Sequence, residues 1–256
     1  MGHKADALAA YERARAILRR LADAHPTVTQ FQRDLANCLG HIGELKLDVG
    51  KRAEAFVEFH AELAIEQKLV AASPAVTDFQ RQLESTHEDL GRLLGREGHR
   101  NEALAEFRAA LAIIQKLAAD NPTVVDFRSR LANCLARIGK LQQAVGRTTE
   151  AADAYRKAVA IMERLPPTPV NTYDLACFHA LLFGVAGRPA SGLTAAEGQT
   201  EEYQAMHFLR EAVAAGYRQL AWMRNDSDLD PLRSRPGFQL LMMDLAFPAE
   251  PFARRD

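Results

Sequence analysis

The chain repeats itself at a step of 48 residues, and that register decides what it can fold into. Pro26, Pro74 and Pro122 align, followed by Phe31, Phe79 and Phe127 and then by Leu35, Leu83 and Leu131. Gly43, Gly91 and Gly139 come next, and then Gly50, Gly98 and Gly146. A second segment matches as Ala55, Ala103 and Ala151, with Phe59, Phe107 and Tyr155, and closes on Ile65, Ile113, Ile161 and Leu69, Leu117, Leu165. Gly2, Ala7, Tyr11, Ile17 and Leu21 sit one step earlier in the same series. A fixed period of this size marks a stacked array of supersecondary units, each too small to bury its own apolar face.

Each unit reads as two helices. Phe127, Leu131, Leu135 and Ile138 follow one another at helical spacing and line one face. The pairs Asn121-Pro122 and Ser73-Pro74 signal the start, and the glycine at 50, 98 or 146 supplies the turn, where positive φ is tolerated. Ala151, Tyr155, Ala158 and Ile161 form the face of the second helix, which Pro166-Pro167 stops. Helices of roughly 20 residues are ~30 Å long. Alanine at the crossing admits close backbones, and the aromatic fills the adjacent gap.

Composition agrees. Hydrophobic residues make up 48% and charged residues 25%, but aromatics only 7%, and the helix formers Ala, Leu, Arg, Glu and Gln dominate. A net charge of −1 gives no sign of nucleic-acid binding, which calls for a basic excess. No apolar run reaches the ~18 residues of a membrane span, and the charged N-terminal stretch lacks the apolar core of a signal peptide. Three distant cysteines, Cys38, Cys134 and Cys177, argue against a disulfide framework and for a reducing, cytoplasmic setting.

On these residues the chain resembles the tetratricopeptide repeat (TPR). Gly139, Ala151, Tyr155 and Ala158 match that family's glycine, alanine, aromatic, alanine spacing, as do Gly91, Ala103, Phe107 and Ala110. In the earlier unit Glu62 replaces the final alanine. The step exceeds the family's usual ~34 residues, in the manner of long-helix variants such as those of kinesin light chains. The resemblance implies an all-α, right-handed superhelical solenoid of antiparallel helix hairpins. More narrowly, FQRDLANCLGHIG and DSDLDPLRSRPGFQLLMMDL resemble the repeat region of planctomycete-type bacterial serine/threonine kinases. The kinase domain is absent, and the chain begins in mid-repeat, which suggests a fragment, a short paralogue or a split reading frame.

The expected layout is an array over 2–165, with an orphan second helix at 2–24 and full repeats at 26–72, 74–120 and 122–165. A degenerate terminal repeat spans 166–216 with a loop at 187–200. Capping helices over 217–247 seal the stack through Trp222, Leu229, Leu232, Phe238 and Leu241, and 248–256 forms a tail. The apolar face of residues 5–21 has no first helix to cover it, so the chain either dimerises there or holds that helix loosely.

Catalysis finds no foothold. The sequence has no GxGxxG, HRD, DFG or GxxxxGK[ST]. Asp226, Asp228 and Asp230 alternate as in a calcium loop, but Pro231 and Gly237 hold the places of its Gly and Glu, so capping and turn formation are expected. Cys134, Cys177 and His179 lack metal-ligand spacing, and the thiols read as buried packing groups. His41 aligns with Asp89 and Arg137, which marks an exposed, variable position and no catalytic base. Neither a cofactor nor a metal is implied.

In the TPR family the first helix of each pair lines a concave groove. Carried onto this chain, Asn37, His41 and Glu44, then Asp89 and Arg92, then Asn133, Arg137 and Lys140, would face a protein or peptide ligand. Asn amides can bridge a peptide backbone, and Arg137 and Lys140 suit a carboxylate. The expected function is a non-enzymatic interaction scaffold. Its alternatives are a docking or sensory arm of a serine/threonine kinase, in cis or trans, and an unrecognised helical enzyme.

Overall fold

The structure, a computed structural model, describes residues 2–246. The tail expected over 248–256 lies outside them. The described residues form helices and no strand. They fall into two compact units divided between Asn121 and Pro122.

The first unit holds α1 (Gly2–Ala24), α2 (Thr29–Asp48), α3 (Arg52–Ala72), α4 (Thr77–Arg96) and α5 (Arg100–Asp120). The second holds α6 (Val125–Ala144), α7 (Thr148–Met162), α8 (Pro169–Val185), α9 (Ala195–Ala214), the short α10 (Leu220–Asn225), a 3-10 turn (Ser227–Leu232) and α11 (Pro236–Ala246). The 48-residue step survives in the coordinates. First helices begin at Thr29, Thr77 and Val125, and second helices at Arg52, Arg100 and Thr148. Each such pair is joined by three residues, short enough to make the partners antiparallel. The joining glycines Gly50, Gly98 and Gly146 have φ of +80°, +85° and +80°, where a side chain would be strained.

The hairpins close through the second glycine series. A Cβ at Gly43 would lie 2.8 Å from the Phe59 ring, and one at Gly91 2.8 Å from that of Phe107. Glycine on the first helix therefore seats the aromatic of the second. Around this contact the first unit buries Ala55, Phe59, Leu63, Leu83, Leu90 and Leu93 as one cluster, and Ala22, Leu35 and Leu39 as another. Among the described residues of α1 only Ala22 is buried, while Ala7, Leu8, Tyr11, Leu18 and Leu21 are half-buried and Ile17 is exposed.

In the second unit α8 is largely apolar and is buried or half-buried on every side from Tyr173 through Phe178 to Val185, with Asp174 and His179 as polar members. It packs against α7, α9 and the 3-10 turn. The expected loop over 187–200 is shorter than its composition suggested, because α9 starts at Ala195. Thr194 caps it, accepting from the Glu197 amide at 3.2 Å while the Glu197 carboxylate accepts from the Thr194 amide at 2.7 Å. This reciprocal capping box offsets the weak helix propensity of Gly198 and Thr200 in the first turns. Leu229, Leu232, Phe238 and Leu241 are buried, but Trp222 is exposed. The inward side of α10 falls one residue later, on the fully buried Met223.

The cysteines are all buried, and Cys38 donates to the Tyr11 carbonyl at 3.3 Å. Asp226 caps the 3-10 turn, accepting from the Asp228 amide at 3.0 Å, so the alternating aspartates form a turn.

Candidate functional site

Eight polar residues on first helices were expected to face a ligand, and the two units treat them differently. In the first unit Asn37, His41 and Glu44 from α2 and Asp89 from α4 line a single open cavity of about 190 Å³. Arg92 does not line it but forms an ion pair with Asp89. Gln82 donates to Asn37 Oδ1 at 2.8 Å, tying α4 to α2 across the floor. His41 Nδ1 lies 3.5 Å from Glu44, and the Tyr11 and His41 ring centroids are 5.2 Å apart.

The cavity also contains two side chains from α3, Glu62 and Glu66, which are buried. Burial pushes Glu62 up to about 9, helped by the neighbouring charges of Glu66, Asp89 and Glu44 and opposed by a hydrogen bond from Thr86. Burial likewise pushes Glu66 up to about 7, with Thr86 again opposing. Both groups therefore hold protons well above the ordinary carboxyl range. Glu62 showed itself in the sequence as a departure from alanine. Glu66 was missed, although the same comparison reveals it, since Leu18, Ile114 and Met162 hold its position in the other units.

In the second unit the chain itself meets the expected residues. Asn133 donates to Asp174 at 3.1 Å. Lys140 forms an ion pair with Asp228 and donates to Ser227 Oγ at 2.9 Å. Burial pushes Asp174 up to about 6, against the Asn133 hydrogen bond, with Asp226 and Asp228 adding to the rise and Arg137 opposing it. Behind the turn, Tyr173 donates to Asp226 at 2.7 Å and stacks on Tyr217 with centroids 4.2 Å apart. Beside it opens a cleft of about 890 Å³, walled by Lys140, Phe183, Arg188, Pro231 and Arg235. Arg235 lies 4.7 Å above the Phe183 ring and 3.3 Å from Glu202.

His179 is buried, paired with Glu201 at 2.6 Å and stacked on Phe208. Among the described residues no group of three or more His, Cys, Asp or Glu side chains is placed to hold a metal ion. No helix among them is long and apolar enough to cross a membrane.

The fold thus defines an all-α array of paired helix hairpins, tetratricopeptide-like in its glycine-to-aromatic packing. Among solved structures the chain is similar to BtubC (BKLC) from P. vanneervenii, at 15% identity over 86% of this chain and 91% of that one, with a TM-score of 0.45. It is similar to MamA from Desulfovibrio magneticus RS-1, at 13% identity over 80% and 96%, with a TM-score of 0.45. It is also similar to a putative kinesin light chain of nearly identical TPR-like repeats from Podosopora anserina, at 15% identity over 85% and 90%, with a TM-score of 0.45. No protein-family model matches the chain, and no curated protein matches it.

Proposed function

We propose that the chain is a non-catalytic scaffold that holds a polypeptide against the α2–α4 face of its first unit. One observation carries this reading: Asn37, His41, Glu44 and Asp89, from two separate first helices, converge on one open cavity. The corresponding Asn133 and Lys140 are already bonded to the chain's own Asp174 and Asp228. An extended peptide or a partner helix laid across α2 and α4 would meet the Asn37 amide, which Gln82 orients, and an acidic rim.

A narrower form of this reading, a docking or sensory arm for a serine/threonine kinase, rests on the sequence resemblance alone. A reducing, cytoplasmic setting accords with three buried thiols.

The test is a synthetic random-peptide array probed with the full chain. A retained peptide set that is lost when Asn37→Ala and Asp89→Ala are combined is the expected result. An empty array, or retention unaffected by the two substitutions, would overturn the assignment.

A further inference from the structure

The α2–α3 hairpin departs from the repeat at two places that open on the same cavity. Ala14, Ala110 and Ala158 hold the position of Glu62, and Leu18, Ile114 and Met162 that of Glu66. Ala110, Ala158, Ile114 and Met162 are buried packing groups. Two carboxyls thus stand where other hairpins place hydrocarbon. They too are buried, with Glu62 8% and Glu66 2% exposed. A polar group so placed needs a partner. The Glu66 Oε2 atom has none in the folded chain, and Glu66 lines the cavity. The Glu62 carboxyl rests on Gly40, where a Cβ would come within 2.5 Å of Oε1. Any side chain at that point of α2 would displace it.

We propose that this cavity receives the guanidinium of an arginine side chain carried by the bound polypeptide, an inference that rests on the scaffold reading above. The lining holds four carboxyls, Glu44 from α2, Glu62 and Glu66 from α3, and Asp89 from α4. The cations at hand are already engaged. Arg81 donates to Asp78 at 2.8 Å, Arg92 pairs with Asp89, and the imidazole of His41 sits beside Glu44. A guanidinium offers five N–H donors in a planar fork, enough to serve several acceptors at once. Glu62 and Glu66 lie one helical turn apart on the same face, which suits two edges of that fork. A single water needs about 10–15 Å³, so a 190 Å³ cavity admits a side-chain head group.

Entry of a permanent cation favours the ionised carboxyls. Glu66, held at about 7, and Glu62, held at about 9, then release protons as the ligand binds. His41, Glu44, Arg81 and Asp89 are the other titratable groups facing the site. Arginine keeps its charge throughout this range, so binding tightens as pH rises from about 6 to about 9.

The test is calorimetric titration of the full chain with N-acetyl-argininamide and with its neutral isostere, N-acetyl-citrullinamide, in buffers of different ionisation enthalpy. The arginine amide is expected to bind at least ~10-fold tighter, to release protons, and to tighten with pH. The double substitution Glu62→Ala with Glu66→Ile restores residues that the other repeats pack, so the fold is kept while binding falls at least ~10-fold. Equal binding of the two amides, or binding unchanged in the double variant, overturns the inference. The peptide array separates the two readings. Peptides retained without arginine enrichment sink the guanidinium site and leave the scaffold standing. A bound arginine amide with an empty array keeps the site and sinks the scaffold.

Discussion

Tyr155 presses so closely on Gly139 that a Cβ there would lie 2.5 Å from the ring, and the Tyr155 hydroxyl donates to Gln143 at 2.9 Å. The ring is fully buried, and burial pushes its hydroxyl above the usual tyrosine range. Gly139→Ala must therefore move the ring or part α6 from α7. The expected cost is ~1–3 kcal/mol, read as a lower urea midpoint at unchanged slope. An unaltered midpoint would mean that the glycine series does not set the hairpin spacing.

Glu58 joins three helices. It accepts from Lys46 at 2.7 Å and from Arg15 at 2.9 Å, and both Glu58 and Lys46 are buried. Removing Glu58 leaves the buried Lys46 ammonium with only the exposed Glu54 carboxylate, 3.4 Å away. Glu58→Ala is expected to cost ~3 kcal/mol or more. The paired change Glu58→Ala with Lys46→Leu installs the residues found at Ala154 and Leu94 and should recover most of that loss. A double-mutant cycle in urea measures the coupling. Additive losses would show that the pair contributes nothing to holding α2 and α3.

The hairpins were legible because their determinants are local and periodic. Gly43, Phe59 and Gly50 each recur at a fixed step, so pattern alone locates the close approach and the turn. Half of the candidate site was legible for the same reason, with Asn37, His41, Glu44 and Asp89 falling off the apolar stripe and lining one cavity. The buried carboxyls were less so, because periodicity assigns inward positions to hydrocarbon and Glu66 breaks that assignment silently. The pairing of Lys140 with Asp228 was not legible at all. Lys140 meets Asp228 across 88 positions of sequence, and no local pattern records a chain that returns on itself. Trp222 misled for a related reason. A six-residue helix is too short to show its phase, and the inward position belongs to Met223.

Thr194 and Glu197 start α9 through reciprocal hydrogen bonds, and those bonds hold Glu197 below the ordinary carboxyl range. Thr194→Ala deletes the side-chain acceptor for the Glu197 amide. The expected loss is ~1 kcal/mol, seen as a lower Tm in thermal unfolding followed by circular dichroism. If the Tm holds, the burial of Met206 and Leu209 suffices to start the helix.

Glu62 and Glu66 also tie stability to pH. Their ordinary value is 4.5, and the fold raises them to about 9 and about 7. A carboxyl raised in the folded state carries no penalty below its unfolded value. The folded state then loses stability as pH climbs from about 4.5 through 7 for Glu66 and on to 9 for Glu62. Asp174 and Asp228 are raised as well and push in the same direction. The contribution of the cavity is isolated by subtraction, comparing wild type with the Glu62→Ala, Glu66→Ile variant at about pH 5 and about pH 9. The gap between the two proteins should widen steadily in favour of the variant over that range. A gap independent of pH would mean that both carboxyls ionise in the folded chain as they do in water, and the enclosure described for them would be wrong.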